Sequence, residues 1–177
     1  MIVLLPNCAF LSETSRMLAL AEALRDRGAE VVLATRGGPY AGLLEQSDLD
    51  SVRLAPGSDD LDARRFLDAV LSMGITDEPF YPPGVLRAAV DAEVELFATT
   101  GARIAVTGFT LSAYLSTRVA GIPLATSHGG SFVFPVLERG LAPVPVNPPR
   151  PEISRLPRWL QRRMANLVPR LLTGSVA

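Results

Sequence analysis

The 177-residue chain contains no lysine: every one of its 17 basic residues is arginine, set against 18 acidic residues for a formal net charge of -1. No basic run forms among them, so the chain lacks the positive stripe that a phosphate backbone requires, and nucleic acid is excluded as a partner. Cysteine occurs only as Cys8 and histidine only as His128. An internal disulfide is therefore excluded, as is a metal site built on several cysteines or histidines. Neither G-x-G-x-x-G nor G-x-x-x-x-G-K-[ST] occurs, which removes the two glycine-rich turns that let backbone cradle a dinucleotide or a triphosphate. Long apolar runs are missing too. The opening Met1-Ile2-Val3-Leu4-Leu5-Pro6 has no basic flank and falls far short of the ~20 residues that cross a bilayer, so a cytoplasmic location is expected and membrane insertion is not.

What is present is a globular composition, 48% hydrophobic and 20% charged, in a length that suits one core. Ile2 to Leu5 is a short apolar run stopped by Pro6, as in a buried strand. Met17, Leu20, Ala21 and Leu24 then recur at helical spacing, with Ser12 placed as N-cap and Gly28 as the stop. Glu30 to Thr35 predicts a second buried strand, broken by Gly37-Gly38-Pro39. A short helix over Tyr40 to Gln46 leads to a third strand at Ser51 to Leu54, closed by Pro56-Gly57-Ser58. Asp59 to Ser72 is in helical register, and Met73 to Gly84 reads as a loop. Val85 to Thr100 predicts a long helix with Leu86, Ala89, Val90, Val94 and Phe97 on one side and acids at Asp91, Glu93 and Glu95. Arg103 to Thr107, Leu111 to Ala120 and Pro123 to Ser127 continue as strand, helix and strand. This β-α-β order predicts a Rossmann-like, doubly wound α/β domain, with a mainly parallel sheet and helices on both faces.

That domain is expected over residues 1–135. A proline-rich arm follows over 136–157, where Pro143, Pro145, Pro148, Pro149 and Pro151 favour extended backbone. Residues 158–177 are amphipathic and basic, with Trp159, Leu160, Met164 and Leu167 among Arg158, Arg162, Arg163 and Arg170. They are expected to form a helical segment packing on the domain, in preference to a membrane-surface helix.

Ligands of such a sheet gather beyond the carboxyl ends of its strands. That rule selects the loops Asn7 to Glu13, Arg36 to Gly38, Gly108 to Thr110 and Ser127 to Phe134. Asn7, Phe10, Ser12, Phe109, Thr110, Phe132 and Phe134 are the candidate ligand-binding residues, since apolar rings with a few polar anchors suit a small-molecule pocket. Core packing accounts for the phenylalanines equally well.

Two runs carry a resemblance. Met17-Leu18-Ala19-Leu20-Ala21-Glu22-Ala23-Leu24-Arg25-Asp26-Arg27-Gly28-Ala29-Glu30-Val31 resembles the first helix and second strand of the antibiotic and UDP-glycosyltransferase family, of the form L-A-L-A-x-x-L-x-x-R-G-H-E-V. Gly108-Phe109-Thr110-Leu111-Ser112, continued by Arg118-Val119-Ala120-Gly121-Ile122-Pro123, is similar to that family's D-x-x-L-S … A-R-L-A-G-V-P segment. The resemblance implies the N-terminal, acceptor-binding half of a GT-B glycosyltransferase of bacterial natural-product biosynthesis. Such a half receives a small apolar acceptor whose hydroxyl takes a sugar, and it holds no cofactor. The nucleotide-sugar donor is expected in a C-terminal domain absent from this chain, or in a separate donor subunit. By the same resemblance a His at the start of the first helix acts as base, oriented by an Asp after the fourth strand. Here Glu13 stands at the first position and Gly108 at the second. Glu13 could act as the base in their place, or it could simply complement the positive end of its helix. His128 is the other candidate base, with a cleft-lining role as its alternative. Loss of both positions also fits a non-catalytic homologue that binds a ligand or assists a partner, and a domain of this fold considered alone is expected to be inactive.

Overall fold

The computed structural model describes residues 1–71, 80–82, 84–127, 155–161 and 163. The first strand, β1 (Ile2–Leu5), forms from a run too short and too apolar for a surface helix, and its last three residues are buried. Helix α1 (Leu11–Arg25) follows, then β2 (Val31–Gly37), α2 (Gly42–Glu45) and β3 (Ser51–Ser58). Helices α3 (Asp60–Leu71) and α4 (Val85–Thr100) lead to β4 (Ile104–Thr107), α5 (Ala113–Ala120) and β5 (Leu124–Thr126). All strands pair in parallel in the order β3-β2-β1-β4-β5. The expected doubly wound α/β sheet is therefore present.

Alternation along the strands divides the core in two. Val3, Leu5, Val32, Ala34 and Ala105 pack with Leu96 and Phe97 of α4 and Ala113 of α5. Leu4, Leu33 and Val106 pack with Met17 and Ala21 of α1 and Leu44 of α2. Helices thus cover both faces. The chain leaves β1 toward β2 on one side and returns from β3 to β4 on the other, so the direction of winding reverses between β1 and β4. The tips of those two strands flank the topological switch point.

Three local expectations need correction. Helix α1 is entered from an extended Phe10 at its N-cap, with no side-chain cap bond, and Ser12 sits exposed inside the first turn. Strand β3 is not closed by Pro56-Gly57-Ser58 but runs through them, with Gly37 paired to Ser58 across a register shift. Proline is tolerated because β3 is an edge strand. On α4, Glu93 does not join the polar side: it is fully buried, while Asp91 and Glu95 are exposed.

The exit from β2 has a backbone requirement of its own. Gly38 has φ 122°, and a Cβ there would lie 2.8 Å from the Cys8 carbonyl oxygen, so only glycine lets this turn approach the loop after β1.

The chain forms two compact units, residues 1–67 with 80–127 and residues 68–79 with 128–177. In the second unit, the amides of Leu160 and Gln161 bond to the Pro157 carbonyl at 2.9 and 3.1 Å, opening a helical turn at 158. Most of the expected loop over Met73 to Gly84, the proline-rich arm and the remainder of the C-terminal segment lie outside the described residues. No helix among the described residues is long and apolar enough to cross a membrane.

Candidate functional site

The loops beyond β1 and β4 meet at the switch point, and Glu13 joins them. It lies on the buried stripe of α1 with Thr14, Met17 and Ala21, and is only 3% exposed. One carboxylate oxygen, Oε1, accepts three backbone N–H bonds: from Asn7 at 3.2 Å, Gly108 at 3.2 Å and Phe109 at 2.7 Å. The first comes from the loop after β1, the other two from the loop after β4. Burial pushes the Glu13 carboxyl above the usual carboxylate range, against the opposing pull of those three N–H groups and of the Arg16 guanidinium.

Gly108 is the counterpart of this arrangement. A Cβ at that position would lie 3.1 Å from the Glu13 carboxyl carbon, and 2.8 Å from both Arg16 Nη2 and the Ser127 carbonyl oxygen. The carboxyl group of Glu13 occupies the room that a side chain at 108 would need. Glu13 and Gly108 are therefore neighbours in space. Arg16 donates to the Ser127 carbonyl at 3.2 Å, which ties α1 to the exit from β5.

Asn7 is committed to the same junction. Its Nδ2 donates to the Phe109 carbonyl at 3.2 Å, and its Oδ1 accepts from the Ala9 amide at 3.1 Å. Thr110 donates its hydroxyl to the Leu5 carbonyl at 2.8 Å, and its amide donates to Thr107 Oγ1 at 3.1 Å. These polar candidates brace the two loops, and Ser12 stands exposed nearby in sequence on α1.

Over the junction lies an aromatic cluster. Phe10 and Phe109, both half-buried, have ring centroids 5.6 Å apart, and each meets Phe66 of α3, at 6.0 and 6.2 Å. Phe66 also meets Phe80 at 5.7 Å and Tyr81 at 6.1 Å. Tilted and edge-on contacts at these distances are the favourable ones for phenyl rings. Phe10 and Phe109 were legible as site candidates. Phe66, Phe80 and Tyr81 were not, because they come from a stretch whose position over the strand tips depends on tertiary packing.

A second buried carboxyl lies on the other face. Glu93 of α4 accepts hydrogen bonds from the hydroxyls of Ser112 and Ser116 at the start of α5. Burial raises its pKa, with both serines and Arg36 pulling it back. Tyr81 hydrogen-bonds to Ser112 and is likewise raised by burial. The Arg36 guanidinium lies 5.5 Å from the Tyr81 ring centroid and donates through Nε to the Pro56 carbonyl at 2.7 Å. Cys8 is buried and its thiol is pushed up by burial, consistent with a small packed side chain. His128, Phe132 and Phe134 lie outside the described residues. Among the described residues, no three His, Cys, Asp or Glu side chains are grouped to hold a metal ion.

No family profile and no curated protein sequence matches the chain. Solved structures do. The glycosyltransferase SsfS6 from Streptomyces sp. SF2575, solved with thymidine diphosphate, is 18% identical, with a TM-score of 0.51 over 72% of this chain and 38% of its own. MurG from Acinetobacter baumannii is 14% identical, with a TM-score of 0.51 over 72% of this chain and 35% of its own. The spinosyn forosaminyltransferase SpnP is 18% identical, with a TM-score of 0.54 over 90% of this chain and 37% of its own. The chain thus spans little more than a third of these enzymes. Its five-stranded parallel sheet with helices on both faces has the Rossmann-like α/β fold that part of each of these glycosyltransferases contains.

Proposed function

We propose that this chain is the acceptor-binding domain of a glycosyltransferase that moves a sugar from a nucleotide sugar to a hydroxyl of a small apolar acceptor. The observation that carries it is the placement of half-buried Phe10 and Phe109 over the β1 and β4 tips, at the switch point of the sheet. Such a wall receives an apolar ring system, and backbone and side-chain polar groups in the loops below it orient the hydroxyl. The donor is bound by protein beyond these residues. Glu13 holds the two acceptor loops in register through Oε1, which accepts three N–H bonds, and its other oxygen keeps the capacity to take a proton.

The test is a pair of titrations on the isolated chain. 1-Naphthol, a fluorescent hydroxylated ring, is expected to bind, and Phe10→Ala or Phe109→Ala to weaken it roughly tenfold, as loss of a stacked aromatic contact predicts. UDP-glucose or TDP-glucose is expected not to bind. Nucleotide-sugar binding to this chain, or naphthol binding indifferent to both substitutions, would overturn the assignment.

A further inference from the structure

Phe10, Phe66 and Phe109 stand in mutual contact, with ring centroids 5.6, 6.0 and 6.2 Å apart and their planes tilted or edge-on to one another. Each pair is already at the separation of a favourable ring contact, so no fourth ring fits between them. Two of the three are set by the strand tips. Phe10 follows β1 and Phe109 follows β4, and Glu13 fastens the loops that carry them through the amides of Asn7 and Phe109. The third comes from elsewhere. Phe66 is carried on α3, which follows the edge strand β3, and its ring spans the two strand-tip rings at the switch point, where ligands of such sheets lie.

The seat of α3 turns on that one ring. Of the α3 side chains described, Ala63, Phe66 and Ala69 are buried, at spacings of three, and Phe66 is the only one of them larger than a methyl group. Leu61, Arg64 and Arg65 are exposed. Phe80 and Tyr81 meet the Phe66 ring as well, at 5.7 and 6.1 Å. The first turn of the helix is closed by its own chain: Asp59 Oδ1 accepts from the Asp62 amide at 2.8 Å, and the Asp59 carbonyl accepts from the Ala63 amide at 3.0 Å. This local cap travels with the helix, so α3 can leave its seat with its first turn formed.

We propose that Phe66 fills the acceptor's place from within, and that α3 is a cover which the acceptor displaces, its ring system taking over the contacts that Phe66 makes with Phe10 and Phe109. A fused pair of rings presents more apolar surface to those two walls than a single phenyl does, and that larger area drives the exchange. A covered site lowers apparent affinity by the fraction of molecules in which it is open, so anything that loosens the cover tightens binding. The displacement rests on the acceptor-binding assignment; the opening of α3 does not.

Two measurements separate them. Without ligand, native-state hydrogen exchange in low urea is expected to show the α3 amides exchanging through an opening that leaves the amides of β1 and β4 protected. Exchange of α3 only together with the sheet overturns the cover. With ligand, the sign of one substitution distinguishes a cover from a wall. Phe66→Ala is expected to bind 1-naphthol roughly tenfold more tightly than the unsubstituted chain, whereas Phe10→Ala and Phe109→Ala bind it more weakly. Phe66→Leu, which keeps an apolar side chain and serves if the alanine variant does not fold, is expected to tighten binding by a smaller factor. Naphthol binding that is weakened or unchanged by substitution of Phe66 overturns the displacement. Absence of naphthol binding to the unsubstituted chain and to both variants overturns the acceptor assignment and the displacement with it, while the exchange result on α3 stands by itself.

Discussion

Replacing Glu13 tests the junction at the switch point. In Glu13→Ala the three N–H groups of Asn7, Gly108 and Phe109 lose their common acceptor in a place where Glu13 is 3% exposed. A buried donor left unsatisfied costs about 1 to 3 kcal/mol, so even at the low end three of them give a loss of about 3 kcal/mol. Glu13→Gln keeps an oxygen in place, and should cost under about 1 kcal/mol. Urea unfolding of the three proteins reads both numbers. The pH dependence adds a check of sign. Burial raises the folded-state pKa of Glu13 above its unfolded value. The folded protein therefore holds more protons than the unfolded one between those two values. Stability from this residue is fully present below the unfolded pKa and is lost as pH rises through the folded pKa. The Gln variant lacks that decline and gains on the unsubstituted protein as pH increases across the window. A Gln variant as unstable as the Ala variant at neutral pH would show that the negative charge beside Arg16 matters more than the three hydrogen bonds. An Ala variant within about 0.5 kcal/mol of the unsubstituted protein would show that the junction is not held by Glu13.

Gly108→Ala should destabilise by about 1 to 3 kcal/mol, since its Cβ meets the Ser127 backbone oxygen at 2.8 Å and cannot be relieved by side-chain movement alone; thermal melting measures it. Phe66→Ala removes the ring at the centre of the aromatic cluster and should cost about 3 to 5 kcal/mol. Phe109→Ala, half-buried at the edge, should cost clearly less in the same denaturation assay while reducing ligand binding. Glu93→Gln should flatten the decline of stability with rising pH, because burial raises the folded pKa of Glu93 as it does that of Glu13; hydrogen exchange of the α5 amides, followed across pH, would show the same flattening locally.

The sheet was legible because its strands are short apolar runs and its helices are punctuated by glycine, and Gly101 and Gly121 do end α4 and α5 in left-handed conformation. The edge strand was less so. Pro56 and Gly57 signal a stop, and only the edge position of β3 lets the strand continue through them. Glu13 was legible as a candidate, but the partners that both buried carboxyls acquire were not, for a common reason. Glu13 shares a stripe with Met17 and Ala21, and Glu93 shares one with Ala89 and Phe97, each at spacings of four. An acid in an apolar stripe is a sequence signal that its partners are polar groups arriving from elsewhere. Those partners, the Phe109 amide and the α5 serines, are distant in sequence, so the stripe alone could not name them.

The central claim is that the tips of β1 and β4 receive an apolar, hydroxylated molecule. Amide chemical-shift mapping of the full chain with 1-naphthol tests it most directly. The account predicts saturable shifts at Asn7, Phe10, Gly108 and Phe109, with the edges of β3 and β5 unmoved. Shifts confined to other surfaces, with those four amides unchanged at saturation, would contradict it.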